Sequence, residues 1–588
     1  MRRRQELLSA QEPSLAALVH AMTALPGSPQ PVHDPRAPSA EMQVHRDAFR
    51  GRTRALANWD PSYPTERVNF YKEYVQRHAP ITMSWFPWAR DGFNEEKELR
   101  EATGMGILYD DSGEIADKLV APLDDGSIAI WDSTPMRDRD KNTRYGRLID
   151  RTAMGLLVDR GTTMDWGKRL ARSKASMTET GAVECVSIDS RQKKGYFAVQ
   201  NVLNEVDLST LQVVSREIYP FAITALSEAK HPTPLTVGTN WSLHLHDPRR
   251  RLPDTNAGHG ASTRCELIAG TPPKGDFYRS YTGDRGKAHA PLSQPGPLSI
   301  LHLPDRDWDG DGDIWVAGRF TSLLNYDRRF FPRLRGTVHS GARISSIARL
   351  PHPLVPRELD PTRRPSLSAA DARAARSAAG NTIIAAGEYK GKGSLELYGV
   401  PAAPTPAAPA ADPRAAQSGR ARGAVRNRQT ASRTKLLGAR PHGTRLVYAD
   451  GDGNVKWVER DGFTPVRQHN INAAAPAGGP GGLFAAPAPA PGESDIVQKM
   501  APAVADGAGR ADALGRDDLL VWTGDGRLGV LGFGRQPGFD ADGFKERARA
   551  AEEAERGREE RAYGSTMRRA LERQADEVRF MRGLGLGV

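Results

Sequence analysis

One strand–turn–strand unit returns seven times along this chain, and it constrains the fold more than any other feature. The sharpest copy is 118–132, KLVAPLDDGSIAIWD. An apolar strand leads into an Asp125-Gly126 turn that tolerates positive φ, an alternating strand follows through Ile128 and Ile130, and Trp131-Asp132 closes the unit. Decayed copies occupy 196–207, 235–247 (closing on His246-Asp247), 314–327, 382–398, 445–458 and 518–533. A lone hairpin cannot bury its faces in water, so serial copies predict stacking into a closed ring. Their spacing of roughly 40 to 80 residues meets or exceeds the WD40 period of about 40 to 45, so most blades carry insertions. Shorter apolar runs at 181–187, 221–226, 298–303 and 344–350 each precede a hairpin, where another strand of the same blade belongs. A two-sheet sandwich also alternates, but serial hairpins with Trp-Asp-like closures favour the ring. The expectation is an all-β fold, a WD40-like β-propeller of about seven blades, with an N-terminal helical or irregular extension and C-terminal helices.

Such a ring needs roughly 300 residues or more, and the chain has 588. The surplus has a recognisable composition. Gly (58) and Pro (43) make up about a sixth of the chain and only 38% is hydrophobic, as for a β core diluted by polar and Ala/Pro segments. Three such segments, 361–379, 400–435 and 473–493, have little apolar surface to offset ordering entropy and are expected to be mobile, disordered insertions outside the core. The resulting map is an N-terminal extension at 1–62, a helical linker at 63–103, the propeller at 104–537 and C-terminal helices at 538–588. In the last region Met567, Leu571, Val578 and Met581 fall on one helical face, and Gly583 follows as a C-cap. Packing against the propeller is the expectation for that stripe, with a partner-binding helix as its alternative.

Cys185 and Cys265 are the only cysteines, which excludes a disulfide framework or a cysteine-rich zinc site and suits a reducing, cytoplasmic or nuclear compartment. No apolar run approaches the roughly 18 residues of a membrane span. Arg2 to Arg4 and the apolar stretch 15–25 mimic a signal peptide, but Glu6, Glu12 and His20 interrupt them; a short amphipathic helix is expected. The net charge of +11 and pI near 9.6 invite a nucleic-acid reading. However, the basic runs at 249–251, 363–364 and 420–428 lack the interleaved aromatics of a single-strand platform. Solvated loop charge is expected there, and nucleic acid is not the expected partner.

The sequence offers no nucleophile elbow, phosphate-binding glycine loop or metal-type His/Glu pair on a helix. His339-Ser340 is adjacent in a turn-like GTVHSGAR segment, which is not a triad arrangement. The stretch 307–314, DWDGDGDI, places oxygen ligands at alternate positions like the first two-thirds of a calcium loop, but its twelfth position is Gly318 where a bidentate Glu is needed. An acidic inter-strand turn is expected from Asp307 to Asp313, and a plain turn at 450–453. No catalytic residue, metal site or cofactor is assigned, and binding residues are not identifiable at this level. The expectation is a non-enzymatic protein that holds protein partners on its propeller face, with a basic nuclear or nucleic-acid-associated scaffold as the alternative.

Several segments carry a family likeness: YPTERVNFYKEYVQRHAPI (63–81), AGRFTSLLNYDRRFFPRLRGTVHSGARI (317–344), NRQTASRTKLL (427–437), DGDGNVKWVERDG (450–462) and YGSTMRRALERQADEVRFMRGLGLG (563–587). They resemble a family of fungal F-box proteins with a WD40-like propeller, over most of the chain from about Tyr63 onward. The resemblance implies that an N-terminal F-box docks on the Skp adaptor of a cullin ubiquitin ligase while the propeller presents a substrate. Residues 1–62 depart from that pattern. Their one Leu-Pro pair, Leu25-Pro26, precedes no leucine run, and Trp59 alone stands where a closing tryptophan belongs. The F-box is expected to be absent or degenerate, and the chain alone is not expected to capture the adaptor.

Overall fold

The structure is a computed structural model. It describes residues 63–90, 99–133, 136–137, 143–158, 166–179, 182–250, 265–270, 296–305, 308–328, 334–355, 369–401, 425–472, 495–504, 518–533 and 541–583, apart from 64, 65, 67, 69, 114 and 145. The chain divides into two compact units. One comprises 62–355 with 376–537, and the other 1–61 with 356–375 and 538–588.

The first unit is a seven-bladed β-propeller of four-stranded antiparallel sheets. Blade 1 is built from Gly106–Tyr109, Ala116–Pro122, Ile128–Asp132 and Leu148–Arg151, and blade 2 from Val186–Asp189, Lys194–Val199, Val202–Asp207 and Gln212–Ile218. Blade 3 runs from Ile223–Leu226 to Cys265–Gly270, blade 4 from Pro297–Asp305 to Leu334–His339, and blade 5 from Arg343–Leu350 to Val425–Ser432. Blade 6 runs from Leu436–His442 to Pro465–Asn470. Blade 7 takes Val497–Pro502, Leu519–Thr523 and Leu528–Phe533 from one end of the propeller sequence and its fourth strand, Ile81–Trp85, from the other. All seven repeated hairpins form the second and third strands of a blade.

Burial explains why those two strands carry the signal. Leu519–Thr523 and Arg445–Asp450 are buried at every position, whereas the outer strand Gln212–Ile218 alternates between buried and exposed. A middle strand is covered by sheets on both faces and reads as a nearly continuous apolar run. Turn chemistry follows as well. Lys390 and Gly391 both adopt positive φ (49° and 80°), the pairing that a two-residue type I′ hairpin needs.

Overlapping apolar clusters carry the packing around the ring. One joins blades 1 to 3, two more link blades 3 to 4 and 4 to 5, another spans blades 5 to 7, and a fifth returns from blade 7 to blade 1 through Leu520, Trp522, Met105 and Leu119. The closing strand pairs Met83 with Leu531 and leaves the third strand of blade 7 with no bare edge.

Three sequence expectations need correction. The stretch 63–103, read as a helical linker, holds a helix, α1 (Phe70–His78), but also the ring-closing strand. The 400–435 segment is not wholly an insertion, because Val425–Ser432 is the outer strand of blade 5. That strand reads VRNRQTAS, with no apolar alternation, because it borders only one strand and its Arg426 donates to the Val355 carbonyl at 2.7 Å. The segment 361–379 contains a helix, α3 (Ala369–Ser377), following α2 (Trp166–Glu179) between blades 1 and 2; 473–493 lies outside the described residues. The C-terminal region, read as helices, holds one continuous helix, α4 (Ala541–Gly583), on which Leu571 is 52% exposed.

Candidate interaction face

Antiparallel strand order sorts the loops of a propeller onto two faces. Connections between blades and turns between second and third strands lie at one end, here called the upper face. Turns between first and second, or third and fourth, strands lie at the other. The innermost strands line the channel between the faces.

The lower face is partly occupied by the N-terminal segment. Helix α1 sits against the turn Gly443-Thr444 and the third strand of blade 6. Glu73 accepts from Arg77 Nε at 2.6 Å and from the Thr444 hydroxyl, while Arg77 makes two bonds to Glu459, at 2.6 and 3.1 Å. Arg445, fully buried, donates to Gln76 Oε1. Burial opposes ionisation of Glu73, but Arg445 and Arg77 hold its carboxyl below the usual range. Ahead of the helix, Tyr63 stacks on His352 with centroids 4.3 Å apart and donates to the Pro353 carbonyl at 3.0 Å. Arg460 also lies over the Tyr63 ring, 5.1 Å from its centroid, and pairs with Glu66 at 2.5 Å.

Charge also meets across the channel. Glu184, just ahead of the first strand of blade 2, pairs with Arg440 of blade 6 at 3.0 Å and Lys499 of blade 7 at 2.8 Å. Arg440 further donates to the Ile347 carbonyl of blade 5 at 3.1 Å. Burial alone would raise the Glu184 pKa; Lys499 and Arg440 override it and hold the carboxylate ionised. A register shift between Val497 and Lys499 locally re-aims the strand that carries Lys499. Comparable shifts recur in the innermost strands of blades 3 to 6.

The upper face is stitched at the junctions of blades 4, 5 and 6. Ser340 and Gly341 both donate their backbone N–H to the Thr321 carbonyl at 3.0 Å. The Ser340 hydroxyl donates to Glu396 Oε2 at 2.6 Å, Ser394 donates to its other oxygen at 2.9 Å, and Tyr398 bonds the same carboxylate. Burial and Glu396 push the Tyr398 hydroxyl well up, so it remains a donor. In blade 6, Gly451 N–H donates to the Lys435 carbonyl at 3.0 Å, and Asp450 holds Ser432 at 2.6 Å and Lys456 at 2.7 Å.

The residues singled out from sequence do not assemble into a reactive site. Asp307 lies outside the described residues, and the stretch read as an acidic turn is instead part of a strand, Trp308–Gly318. Backbone pairing of Asp313 with Leu303 and Asp327 makes it extended, and Arg335 takes up its carboxylate. Among the described residues no three His, Cys, Asp or Glu side chains converge as a metal site. His339 faces Ser322 at 3.4 Å while Ser340 turns to Glu396, so the adjacent pair points to different partners. Asp450 is the buried anchor of a turn, as its DGDG context suggested. Cys185 and Cys265 are buried free thiols, and burial pushes Cys185 up to about 11. Of the basic runs, Arg249 pairs with Asp247 at 2.9 Å and Arg428 caps the Phe463 carbonyl at 3.0 Å; 363–364 lies outside the described residues.

Sequence reasoning missed the Glu184–Arg440–Lys499 cluster and the α1 clamp, which join residues 256 to 382 positions apart. No local pattern marks them. No described helix is long and apolar enough to cross a membrane. No protein-family model matches the chain, and no curated protein matches it either.

Proposed function

We propose that this chain is a protein-interaction scaffold that holds partners on its upper face, and that it serves as a substrate receptor for a cullin ubiquitin ligase. The carrying observation for the scaffold role is the closed seven-bladed ring, with its lower face partly taken by α1 and its upper-face turns at the junctions of blades 4, 5 and 6 held by hydrogen bonds. Rigid faces of this kind suit peptides and protein edges, because little ordering entropy is lost on binding. Recurrent hairpins and buried ion pairs account for the prominent sequence features without a catalytic role. The ligase role draws on the resemblance to F-box propeller proteins, and a cytoplasmic or nuclear setting on the two reduced, buried thiols.

Affinity capture of the full chain from its source cells, read by mass spectrometry, tests both levels. Reproducible protein partners support the scaffold, and adaptor and cullin subunits among them support the ligase role. Because residues 1–62 lack the leucine run, purified adaptor is expected to show no micromolar binding to the chain alone. Recovery of nucleic acid without protein partners, with binding that falls steeply in salt, would replace this reading with the nucleic-acid scaffold.

A further inference from the structure

Charge is distributed unevenly over the upper face. Six exposed cations crowd the junctions of blades 4, 5 and 6: Arg319, Arg343, Lys390, Lys392, Arg433 and Lys435. Their backbones form a contiguous path. Arg319 precedes Thr321, whose carbonyl accepts from Ser340 and Gly341; a Cβ built on Gly341 would lie 3.6 Å from the Tyr389 ring, next to Lys390. Beyond Lys392, a Cβ on Gly393 would meet the Thr434 carbonyl at 2.6 Å, and Thr434 sits between Arg433 and Lys435. Among the described residues none of the six forms an ion pair; Lys390 lies 5.4 Å over the Tyr389 ring. Among the described residues the acids of this arc that reach solvent are Glu388, half-buried, and Asp452, exposed; Glu396 and Asp450 beneath it are buried and bonded within the turns. Glu101 and Asp525, both exposed, lie at blades 1 and 7, and α2 between blades 1 and 2 adds the exposed cations Lys168, Arg172 and Lys174, the last paired with Asp124 at 3.6 Å.

An aromatic flanks the basic arc. Trp241, in the turn between the second and third strands of blade 3, is 48% exposed. Large aromatics and arginines are the residue types that dominate protein–protein binding energy. The turns beneath the cations are fixed by the Ser340–Glu396 and Lys435–Gly451 hydrogen bonds, so the charges are presented with little backbone freedom to lose.

We propose that this arc, with Trp241 at its edge, docks an acidic peptide segment of a partner protein bearing an apolar anchor residue. The inference rests on the scaffold reading and names the chemistry of its partner. A peptide suits the face better than a nucleic acid because Trp241 is the one exposed large aromatic among the described residues of this face, whereas a strand-binding platform stacks successive bases on several.

The test uses the full chain and a dye-labelled dodecapeptide of Asp and Glu with one central Leu, followed by fluorescence polarisation. Micromolar binding that weakens at least tenfold between 50 and 300 mM salt is expected. Lys390→Glu/Lys435→Glu should reduce affinity at least tenfold, and Trp241→Ala severalfold with an unchanged salt slope. A matched reversal on the C-terminal helix, Arg569→Glu/Arg573→Glu, should leave binding intact. Unaltered melting temperatures show that the variants fold. No binding by the parent chain, equal binding by the double variant, or tighter binding of a dT12 oligonucleotide would overturn the proposal. If the Lys390→Glu/Lys435→Glu chain still captures the same cellular partners, the acidic-peptide site fails while the scaffold reading survives; loss of every partner from the parent chain defeats both.

Discussion

Arg77 and Glu459 are 382 residues apart in sequence, and their side chains meet in a two-bond ion pair at 2.6 and 3.1 Å. Both are largely withdrawn from solvent, at 12% and 7% side-chain exposure, so the pair fastens α1 to blade 6 under conditions where an unpaired charge is costly. Arg77→Met removes the two-bond partner of Glu459 and one of the two cations that hold Glu73, and should lower unfolding free energy by about 3 kcal/mol. Adding Glu459→Met should recover part of that loss, because the second change removes the carboxylate that lost its partner. Urea melts of the two single variants and the double variant measure the coupling, and strict additivity would show that the pair contributes no joint stability.

Ring closure depends on the strand Ile81–Trp85. A chain beginning at Phe86 leaves Leu528–Phe533 with an unpaired edge and its apolar residues uncovered, a template for association. It should elute as aggregate on gel filtration and lose the cooperative melt. A chain beginning at Tyr63, which keeps the strand and α1, should elute as a discrete species. Equal behaviour of the two would show that blade 7 closes without its N-terminal strand.

The pH dependence has a readable sign. Burial, reinforced by Arg460, lowers the His352 pKa to about 4 despite the opposing Glu66. The unfolded chain takes up this proton as pH falls through about 6.5, so the unfolded state binds more protons between roughly pH 6.5 and 4, and stability falls across that window. His302, buried beside Arg328 and Lys230, is lowered in the same direction. The depressed carboxylates Glu73 and Glu184 lose their contribution only further down, below their ordinary range near 4.5. Melting temperature should therefore drop between pH 7 and pH 5, and His352→Gln should shrink that drop. An unchanged drop would assign it to other groups.

Glu184 balances two cations across the channel, and Glu184→Gln leaves Arg440 and Lys499 facing one another. With the three side chains 12 to 22% exposed, the expected loss is about 1–3 kcal/mol, between the values for surface and buried pairs. The loss should shrink in high salt, where the residual repulsion is screened. A salt-independent loss would indicate a packing defect instead.

Buried thiols give the simplest check of the core. Burial raises Cys185 to about 11 and Cys265 further, so neither presents thiolate near neutral pH. A thiol reagent at pH 8 should label the native chain slowly and both cysteines at once in urea. Rapid native labelling at Cys185 would mean that the junction of blades 1 and 2 opens.

The hairpins were legible in the sequence because their determinants are local. Asp125-Gly126 and Lys390-Gly391 set the turns, and the middle strands are apolar because sheets cover both faces. Local pattern also placed the first strands of blades 2 to 5 near the runs at 181–187, 221–226, 298–303 and 344–350. What it could not supply was pairing at a distance. Ile81–Trp85 is too short to announce its partner 450 residues away, and Val425–Ser432 has no alternation because an outer strand needs little burial. Charges behave the same way. In sequence, Arg77, Arg440 and Arg460 are isolated basic residues, indistinguishable from Arg319 or Arg433. Only closure of the ring buried the first three against Glu459, Glu184 and Glu66 and left the other two exposed. The sequence therefore determined that this chain builds blades, through turn geometry and apolar alternation. The tertiary structure decided which charges hold the ring and which face outward, because an ion pair is fixed by distance in space and its strength by the water that folding removes.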